Sequence, residues 1–219
     1  MHPLEPDRTR PTRNTHAGRS GGLAAIKSGG HADESVVLDA ALEVFIDFGI
    51  KRTTMRTLAQ RAGIGLATLY RRYPGKSAVV EAVLDREARC FLAAVAAQVD
   101  PSVTAEYQLA DGFAAGIALL AAHPLLQRLL AIEPEAVHGR IFAADSELLA
   151  IGRTYVAENI RHLQRRGELL GTDPDVTAEI LIRLALTLVL HPSGAIPAAD
   201  PIQTRSFARR HLAKLVSAS

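Results

Sequence analysis

Residues 53–70 read TTMRTLAQRAGIGLATLY, two short stretches of helical periodicity on either side of a glycine turn. In the first stretch the apolar residues occupy positions i, i+3, i+4 and i+7 of one helix face: Met55, Leu58, Ala59 and Ala62. The hydroxyls of Thr53 and Thr54 are candidate N-caps for this helix, and Gly63 ends it. A second short helix is predicted from about Gly65 to Arg72.

A third helix precedes this pair. From Asp33 onward apolar residues recur every three or four positions, and Gly49 is placed to stop the helix. The apolar positions are Val37, Leu38, Ala41, Phe45 and Phe48. Two short helices joined by a tight glycine turn and packed on a third form a helix-turn-helix, whose second helix enters the major groove of DNA. We therefore predict a DNA-binding domain over residues 33–80.

Charge along the chain supports this interpretation, although the formal net charge is only +2. The segment between Asp47 and Glu81 has no acid and seven basic residues: Lys51, Arg52, Arg56, Arg61, Arg71, Arg72 and Lys76. A charge run is usually only a solvated face, but this one coincides with the helix-turn-helix, where phosphates require positive charge and hydrogen-bond donors. Arg61, near the end of the first short helix, is interpreted as a solvated charge.

Residues 33–84 resemble the DNA-binding domain of the TetR family of bacterial transcription regulators. The stretches LDAA (38–41) and FIDFG (45–49) resemble its first helix, and TTMRTLA (53–59) resembles its second. GIGLATLY (63–70) resembles the turn and recognition helix, and YPGK (73–76) the junction into a fourth helix. The resemblance implies a dimer that binds a palindromic operator, with repression as the family expectation.

The resemblance also implies roles for individual residues. Phosphate contacts are implied for Thr54, Tyr70 and Lys76, and contacts to bases or phosphates for Arg56, Leu66, Ala67, Thr68 and Arg71. Two alternatives stay open, since the Thr54 hydroxyl can serve as an N-cap and the Tyr70 ring can serve in packing.

The sequence departs from the family pattern on the DNA face. Leu66 and Ala67 follow Gly65 where the family often has Ser-Lys-Gly, which removes a hydroxyl and a charge and offers an apolar contact for a thymine methyl group. Arg72 stands where His or Tyr is frequent, and Tyr73 where Phe is usual. Both are kept as candidate DNA-binding residues, and the operator sequence is left unpredicted.

The remainder has no strand-like alternation, and proline and glycine divide it into helices. These are predicted at about 76–98, 104–122, from Pro124, at 145–166, from Pro174 to the turn at 192–194, and at 201–216. The fold class is therefore all-α: a three-helix DNA-binding domain followed by a larger effector-binding and dimerisation domain over 81–219. Residues 1–32, rich in Pro, Gly and Arg, are predicted to be disordered, as a basic arm along phosphates or as an untethered tail.

The helix predicted after Pro174 is apolar around most of its circumference, which suits a helix with two partners. As the resemblance implies, we expect the last two helices to form a four-helix bundle with a second subunit. The predicted interface residues are Leu181, Leu184, Ala185, Leu188, Leu212 and Leu215. The alternative is a helix buried wholly within one chain.

An effector pocket is expected inside the second domain, lined by aromatic and polar residues that could equally be ordinary core: Phe91, Phe113, Phe142, Tyr155, Asn159 and Thr187. The effector itself is unpredicted. No cofactor or metal is expected, because His-Glu-x-x-His, Gly-x-Ser-x-Gly and Walker motifs are missing from the sequence.

The other function classes are weighed as follows. An enzyme is disfavoured for lack of a motif, and a DNA-binding architectural protein without an effector shares the N-terminal half. With no signal peptide, no long apolar run and a lone Cys90, a cytoplasmic protein is expected.

Overall fold

A computed structural model describes the backbone of residues 22–141, 143 and 146–216, and the side chains of 34–140, 143 and 146–215. This part of the chain is helical and contains no strand, which confirms the all-α prediction. The helices are α1 (Gly22–Phe48), α2 (Met55–Arg61), α3 (Leu66–Arg72), α4 (Lys76–Ala96), α5 (Ala105–Ala121), α6 (Pro124–Ile132), α7 (Pro134–Ile141), α8 (Glu147–Arg165), α9 (Pro174–Leu190), α10 (Pro201–Phe207) and, after a π-helical turn (Ala208–Leu212), α11 (Ala213–Val216).

Residues Met1–Val36 and Val37–Ser219 form two units. Helix α1 begins at Gly22, within the segment predicted to be disordered, and the disorder of residues 1–32 stays a prediction. No proline stands between Pro11 and Pro74, and extending an existing helix costs far less than nucleating one. The rest of the predicted arm lies outside the described residues. The predicted domain division at 80/81 falls inside the continuous helix α4 and stays a prediction.

The core of the helix-turn-helix forms as the apolar periodicity predicts, except that Phe48 at the end of α1 is 45% exposed. Phe45 from α1, Leu58 from α2 and Leu69 from α3 are fully buried, and Val79 and Val83 of α4 join them. The two turns rest on glycine, because Gly49 has a φ of 81° and Gly63 a φ of 66°, where other residues are strained. The buried apolar residues fix the orientation of α3, whose opposite face is left exposed.

The helical body is built around α5, which packs against α4, α9 and α10, while α8 packs mainly against α9. Its core includes Phe113 and Ile117 of α5 with Leu181 and Leu188 of α9. Buried Asp111 accepts hydrogen bonds from Arg209 in the π-helical turn, which attaches the C-terminal segment to α5. Among the described residues no single helix is long and apolar enough to cross a membrane, and only the pair α5 and α6, bent by 55°, meets both criteria together.

Most predicted helix limits agree with the structure to within two residues, but the sequence patterns do not predict α7 as a separate helix. Pro134 is the first residue of α7, a position that tolerates proline because the missing N–H would be unpaired there. The proline that interrupts the helical pattern after α6 therefore also begins the next helix.

Candidate DNA-binding surface and ligand cavity

The entry to α2 is fixed by two threonines with different roles. The Thr54 Oγ1 accepts a hydrogen bond from the Thr57 N–H at 3.2 Å, which confirms it as the N-cap. The prediction of Thr53 as a second cap of α2 is wrong, because its buried hydroxyl donates to the Gly49 carbonyl at 2.7 Å. That carbonyl lies past the end of α1, so Thr53 closes the turn between α1 and α2 instead.

The recognition helix α3 presents one exposed face opposite buried Leu69. Ala67, Tyr70 and Arg71 lie on that face at positions i, i+3 and i+4, and all three are exposed. Thr68 is half-buried, and Leu66 is half-buried against the helix-turn-helix core. Only part of the Leu66 side chain is thus available for a base contact.

The basic residues fall into two groups. The exposed side chains of Arg56 and Arg71 make no ion pair within the described part of the chain. Arg61 is not the solvated charge that was predicted, because its guanidinium donates to Asp47 at 2.8 Å and to Glu43 at 2.9 Å. The hydrogen bond with Asp47, and next that with Glu43, raises the pKa of Arg61. Arg61 therefore fastens α2 to α1.

Two other predicted DNA contacts are placed differently by the fold. Tyr73 is only 6% exposed and belongs to the helix-turn-helix core, so its prediction as a surface contact is wrong. It ends α3, where the chain turns inward to start α4. The Lys76 ammonium donates to the carbonyls of Ile50 and Lys51, both at 3.1 Å, which engages two of its three protons. Arg72 is half-buried.

The turn between α1 and α2 is also held from the helical body. Buried Glu133, between α6 and α7, accepts the Lys51 backbone N–H at 2.9 Å. Arg128 of α6 donates to the Asp47 carbonyl at 2.8 Å. A Cβ on Gly49 would lie 2.4 Å from a carboxylate oxygen of Glu133, so this glycine permits the close approach. We call Arg128, Glu133 and their partners at Asp47, Gly49 and Lys51 the turn clamp; sequence reasoning missed it, since its members lie about 80 residues apart.

The helical body contains a cavity of about 570 Å³. It is lined by α4, α5, α6, α7, α8 and α9, and it extends to Ile50 in the turn between α1 and α2. Seven of its thirty-five lining residues have polar side chains: Glu87, Gln108, His123, Arg140, Tyr155, Asn159 and His162. The rest of the wall is aliphatic, aromatic or glycine. Its volume and character are those of a small-molecule site.

Four of the predicted pocket residues line this cavity: Phe91, Phe113, Tyr155 and Asn159. Thr187 does not, because it lies on the exposed face of α9 and donates to the Arg183 carbonyl within its own helix. Phe142 lies outside the described residues. In that part of the chain no group of three or more His, Cys, Asp or Glu is placed to hold a metal.

The predicted dimer residues are mostly internal. Leu181 and Ala185 line the cavity, while Leu188 and Leu212 are buried in the core of the body. Leu184 is half-buried, and Leu215 is exposed. The prediction is therefore wrong for buried Leu181, Leu188 and Leu212, because the apolar circumference of α9 faces α5 and α8 as well as solvent. The exposed apolar residues of α9 are Val176 and Ile180, one turn apart.

Comparisons with known proteins agree with this arrangement. Residues 37–83 match the family model described as bacterial regulatory proteins, tetR family. The HTH-type transcriptional regulator UidR of Escherichia coli is 26% identical over 176 residues, 79% of this chain and 86% of UidR.

Two solved structures have the same fold. Salmonella enterica GusR has a TM-score of 0.62 at 18% identity, covering 84% of this chain and 95% of GusR. QsdR of R. erythropolis, a transcriptional repressor, has a TM-score of 0.60 at 20% identity, covering 86% of this chain and 97% of QsdR.

The fold, the outward recognition helix and these comparisons define a helix-turn-helix transcriptional regulator that binds DNA. Regulators of this type bind operator DNA and dimerise. Residues 37–83 of the chain belong to the tetR family of bacterial regulatory proteins.

Proposed function

We propose that this regulator is a homodimeric repressor, released from a palindromic operator when a small molecule fills the cavity. The observation that carries the proposal is the position of the cavity, which reaches from the interior of the body to Ile50 beside the DNA-binding helices. A molecule in the cavity would therefore contact the element that orients α2 and α3. The alternative, an architectural DNA-binding protein without an effector, leaves this cavity without a role.

The DNA contacts are divided between positioning and base recognition. Arg71, Thr68 and part of Leu66 face the major groove from α3, and Arg56 and Tyr70 contact phosphates on either side. Thr54 contributes from the start of α2. Lys76 acts mainly by holding the turn before α2, since two of its protons are engaged there. Half-buried Arg72 has the smallest part.

Two helices connect the cavity to the DNA-binding helices. Helix α4 lines the cavity from Leu84 to Ala96, and its first residue, Lys76, bonds the turn between α1 and α2. Helix α6 lines the cavity with Leu125, Leu126 and Leu129, and the turn clamp lies at its C-terminal end. A ligand that displaces either helix moves the turn. In a dimer this changes the spacing of the two recognition helices, which must match half-sites about 34 to 36 Å apart.

The dimer interface is proposed on the outward face of α9 and in the C-terminal segment. Val176 and Ile180 are 55% and 48% exposed, and Leu215 is 54% exposed. Exposed aliphatic side chains at one-turn spacing favour a helical partner, and a second copy of this chain fits the dimeric habit of the family. Leu184, half-buried on the same helix, lies at the edge of this face.

The protein acts without catalysis or a cofactor in this proposal, and in the cytoplasm, where its DNA is. Selection of binding sites from a random DNA pool tests the central part. We expect a two-fold symmetric consensus bound by a dimer. Recovery of DNA without any consensus would contradict the proposal and favour the architectural alternative.

The interface is tested by Val176→Asp/Ile180→Asp. Two carboxylates in an apolar dimer interface should weaken association at least about a hundredfold, because each would be desolvated without a partner. Sedimentation measures this, with exposed Val36→Asp as a matched control on α1. An unchanged dimer would place the interface elsewhere.

A further inference from the structure

The lining of the cavity follows two helices over much of their length. Its lining runs from Leu148 to Leu163 on α8 and from Gln108 to Leu120 on α5. At 1.5 Å of rise per residue these stretches are about 22 and 18 Å long. A sphere of 570 Å³ would be only about 10 Å across. An extended chain spans about 1.2 Å per bond, so the cavity accommodates roughly 15 to 18 bonded atoms in a row.

Glycines keep the middle of the cavity open. Gly112 and Gly116 lie one turn apart on α5 and both line it. A Cβ on Gly116 would meet only the Phe91 ring, at 4.0 Å. Glycine inside a helix is less stable than alanine, so two of them on the cavity wall are explained by the space they leave. The space beside these two glycines suits an unbranched chain passing between α4 and α5.

The polar groups of the wall are mostly engaged with the protein. The Glu87 carboxylate accepts from Arg86, with His123 3.4 Å away. The side-chain amides of Gln108 and Asn159 donate to backbone carbonyls. These contacts leave the four side chains little capacity for a ligand.

Within the described residues the side chains of Tyr155, His162 and Arg140 of α7 make no such contact, and of the three only Arg140 is always charged. Its exposed guanidinium makes no hydrogen bond or ion pair with any side chain or backbone atom in the described ranges. It lines both the cavity and an adjoining surface groove, together with Leu84, Leu148 and Ile151. Arg140 is the one basic residue among the described residues that line this groove, which also include Glu81, Asp85 and Glu147. It therefore marks an opening where an anionic group can remain hydrated while a chain lies inside.

We propose that the effector is a long-chain carboxylate of about sixteen carbons, with its chain in the cavity and its carboxylate paired with Arg140. This identity rests on the proposed function, because the same cavity must control DNA binding. A guanidinium and a carboxylate form two parallel, charge-assisted hydrogen bonds with each other. The chain contributes through burial of its methylenes.

Calorimetry with saturated fatty acids of 8 to 20 carbons, kept below their micelle concentrations, tests the chain. Affinity should rise about fourfold per methylene at most, until about sixteen carbons, and then stop rising. Gly116→Leu should weaken hexadecanoate at least about tenfold and octanoate much less. Ala93→Leu is the control, because Ala93 is an exposed residue of α4 that lines neither the cavity nor the adjoining groove. Absence of hexadecanoate binding, or affinity that ignores chain length, would overturn the proposal.

The head group is tested with hexadecan-1-ol, which has the same chain without the charge. Wild type should bind hexadecanoate about tenfold or more tightly than the alcohol. Arg140→Gln should lose this preference but keep its affinity for the alcohol. Arg140→Lys should recover part of the preference for hexadecanoate. His162→Gln is the control for the other end of α8. A preference that survives Arg140→Gln, or is lost in His162→Gln, would overturn the assignment of the carboxylate.

Operator binding by the ligand-free protein separates this inference from the proposed function. Sequence-specific DNA binding without any affinity for fatty acids overturns only the ligand class. Fatty-acid binding by a protein that recognises no DNA sequence overturns the proposed function and leaves the ligand class standing.

Discussion

The helix-turn-helix and the helical body use their side chains in opposite ways. On α3 the residues proposed to act, Tyr70 and Arg71, are exposed and project from a packed scaffold. In the body the proposed function depends on a space, which side chains such as Phe91 border and Gly116 leaves open. Substitutions on the first region should thus change recognition without changing the fold. Substitutions around the second should change whether recognition can be switched.

The turn clamp is where the two regions meet. Glu133 belongs to the body, yet its carboxylate holds the Lys51 N–H of the DNA-binding region. Because Glu133 is buried, its charge is not part of the DNA-binding surface. The comparison therefore predicts three kinds of variant: those that lose recognition, those that lose the switch, and those that weaken all DNA binding equally.

The largest effect is expected for Thr68→Ala/Arg71→Ala. Loss of base contacts should reduce affinity for the selected operator by about 10- to 100-fold or more, since one good bidentate contact contributes about 1 to 3 kcal/mol of discrimination. Affinity for unrelated DNA should fall much less. Competition binding measures both.

Arg61→Ala is the matched control for this pair. It removes a cation from the same unit, but one already engaged with Asp47 and Glu43. It should leave the operator consensus unchanged. An Arg61→Ala variant that changed the consensus as much as the double variant would show that α3 does not carry recognition.

A smaller effect, about 1 to 3 kcal/mol of unfolding free energy, is expected for Glu133→Ala, because the Lys51 N–H loses its partner. More specifically, ligand should now change operator affinity less than in wild type. Thermal unfolding and operator titrations with and without hexadecanoate measure the two quantities. Exposed Glu135→Ala is the control and should behave as wild type. Full coupling in Glu133→Ala would remove the turn clamp from the pathway.

The smallest effect is expected for Tyr70→Phe, about three- to tenfold weaker binding to specific and unrelated DNA alike, because a phosphate contact reads no base.

Lys76→Ala separates two roles of one cation. If Lys76 acts by holding the turn, the variant unfolds at lower temperature and its salt slope falls by less than one; a fall of a full unit would mean a direct phosphate contact.

Local signals made the DNA-binding region predictable. Gly49 and Gly63 mark real left-handed turns, Thr54 is a real N-cap, and the periodicity places Leu69 inside. Tyr73 and Arg61 were misassigned because packing and pairing partners from other helices decide their roles.

The body was less predictable for a physical reason. An apolar residue on α9 can face a core, a cavity or a second subunit, and periodicity does not distinguish these neighbours. The sequence therefore predicts Leu181 and Leu188 at a dimer interface, although both are buried inside the body. Aromatic residues were expected around the pocket, and four of the six predicted residues line it. Its length and its opening at Arg140 depend on the positions of six helices, which no local pattern encodes.

The reciprocal linkage between the two regions tests the account most directly. Operator affinity is measured by titration with and without saturating hexadecanoate, and hexadecanoate affinity is measured for the free and the operator-bound dimer. We predict that each ligand weakens the other by the same factor, between about 5- and 150-fold. Equal hexadecanoate affinity for free and operator-bound dimer would contradict a cavity that controls DNA binding.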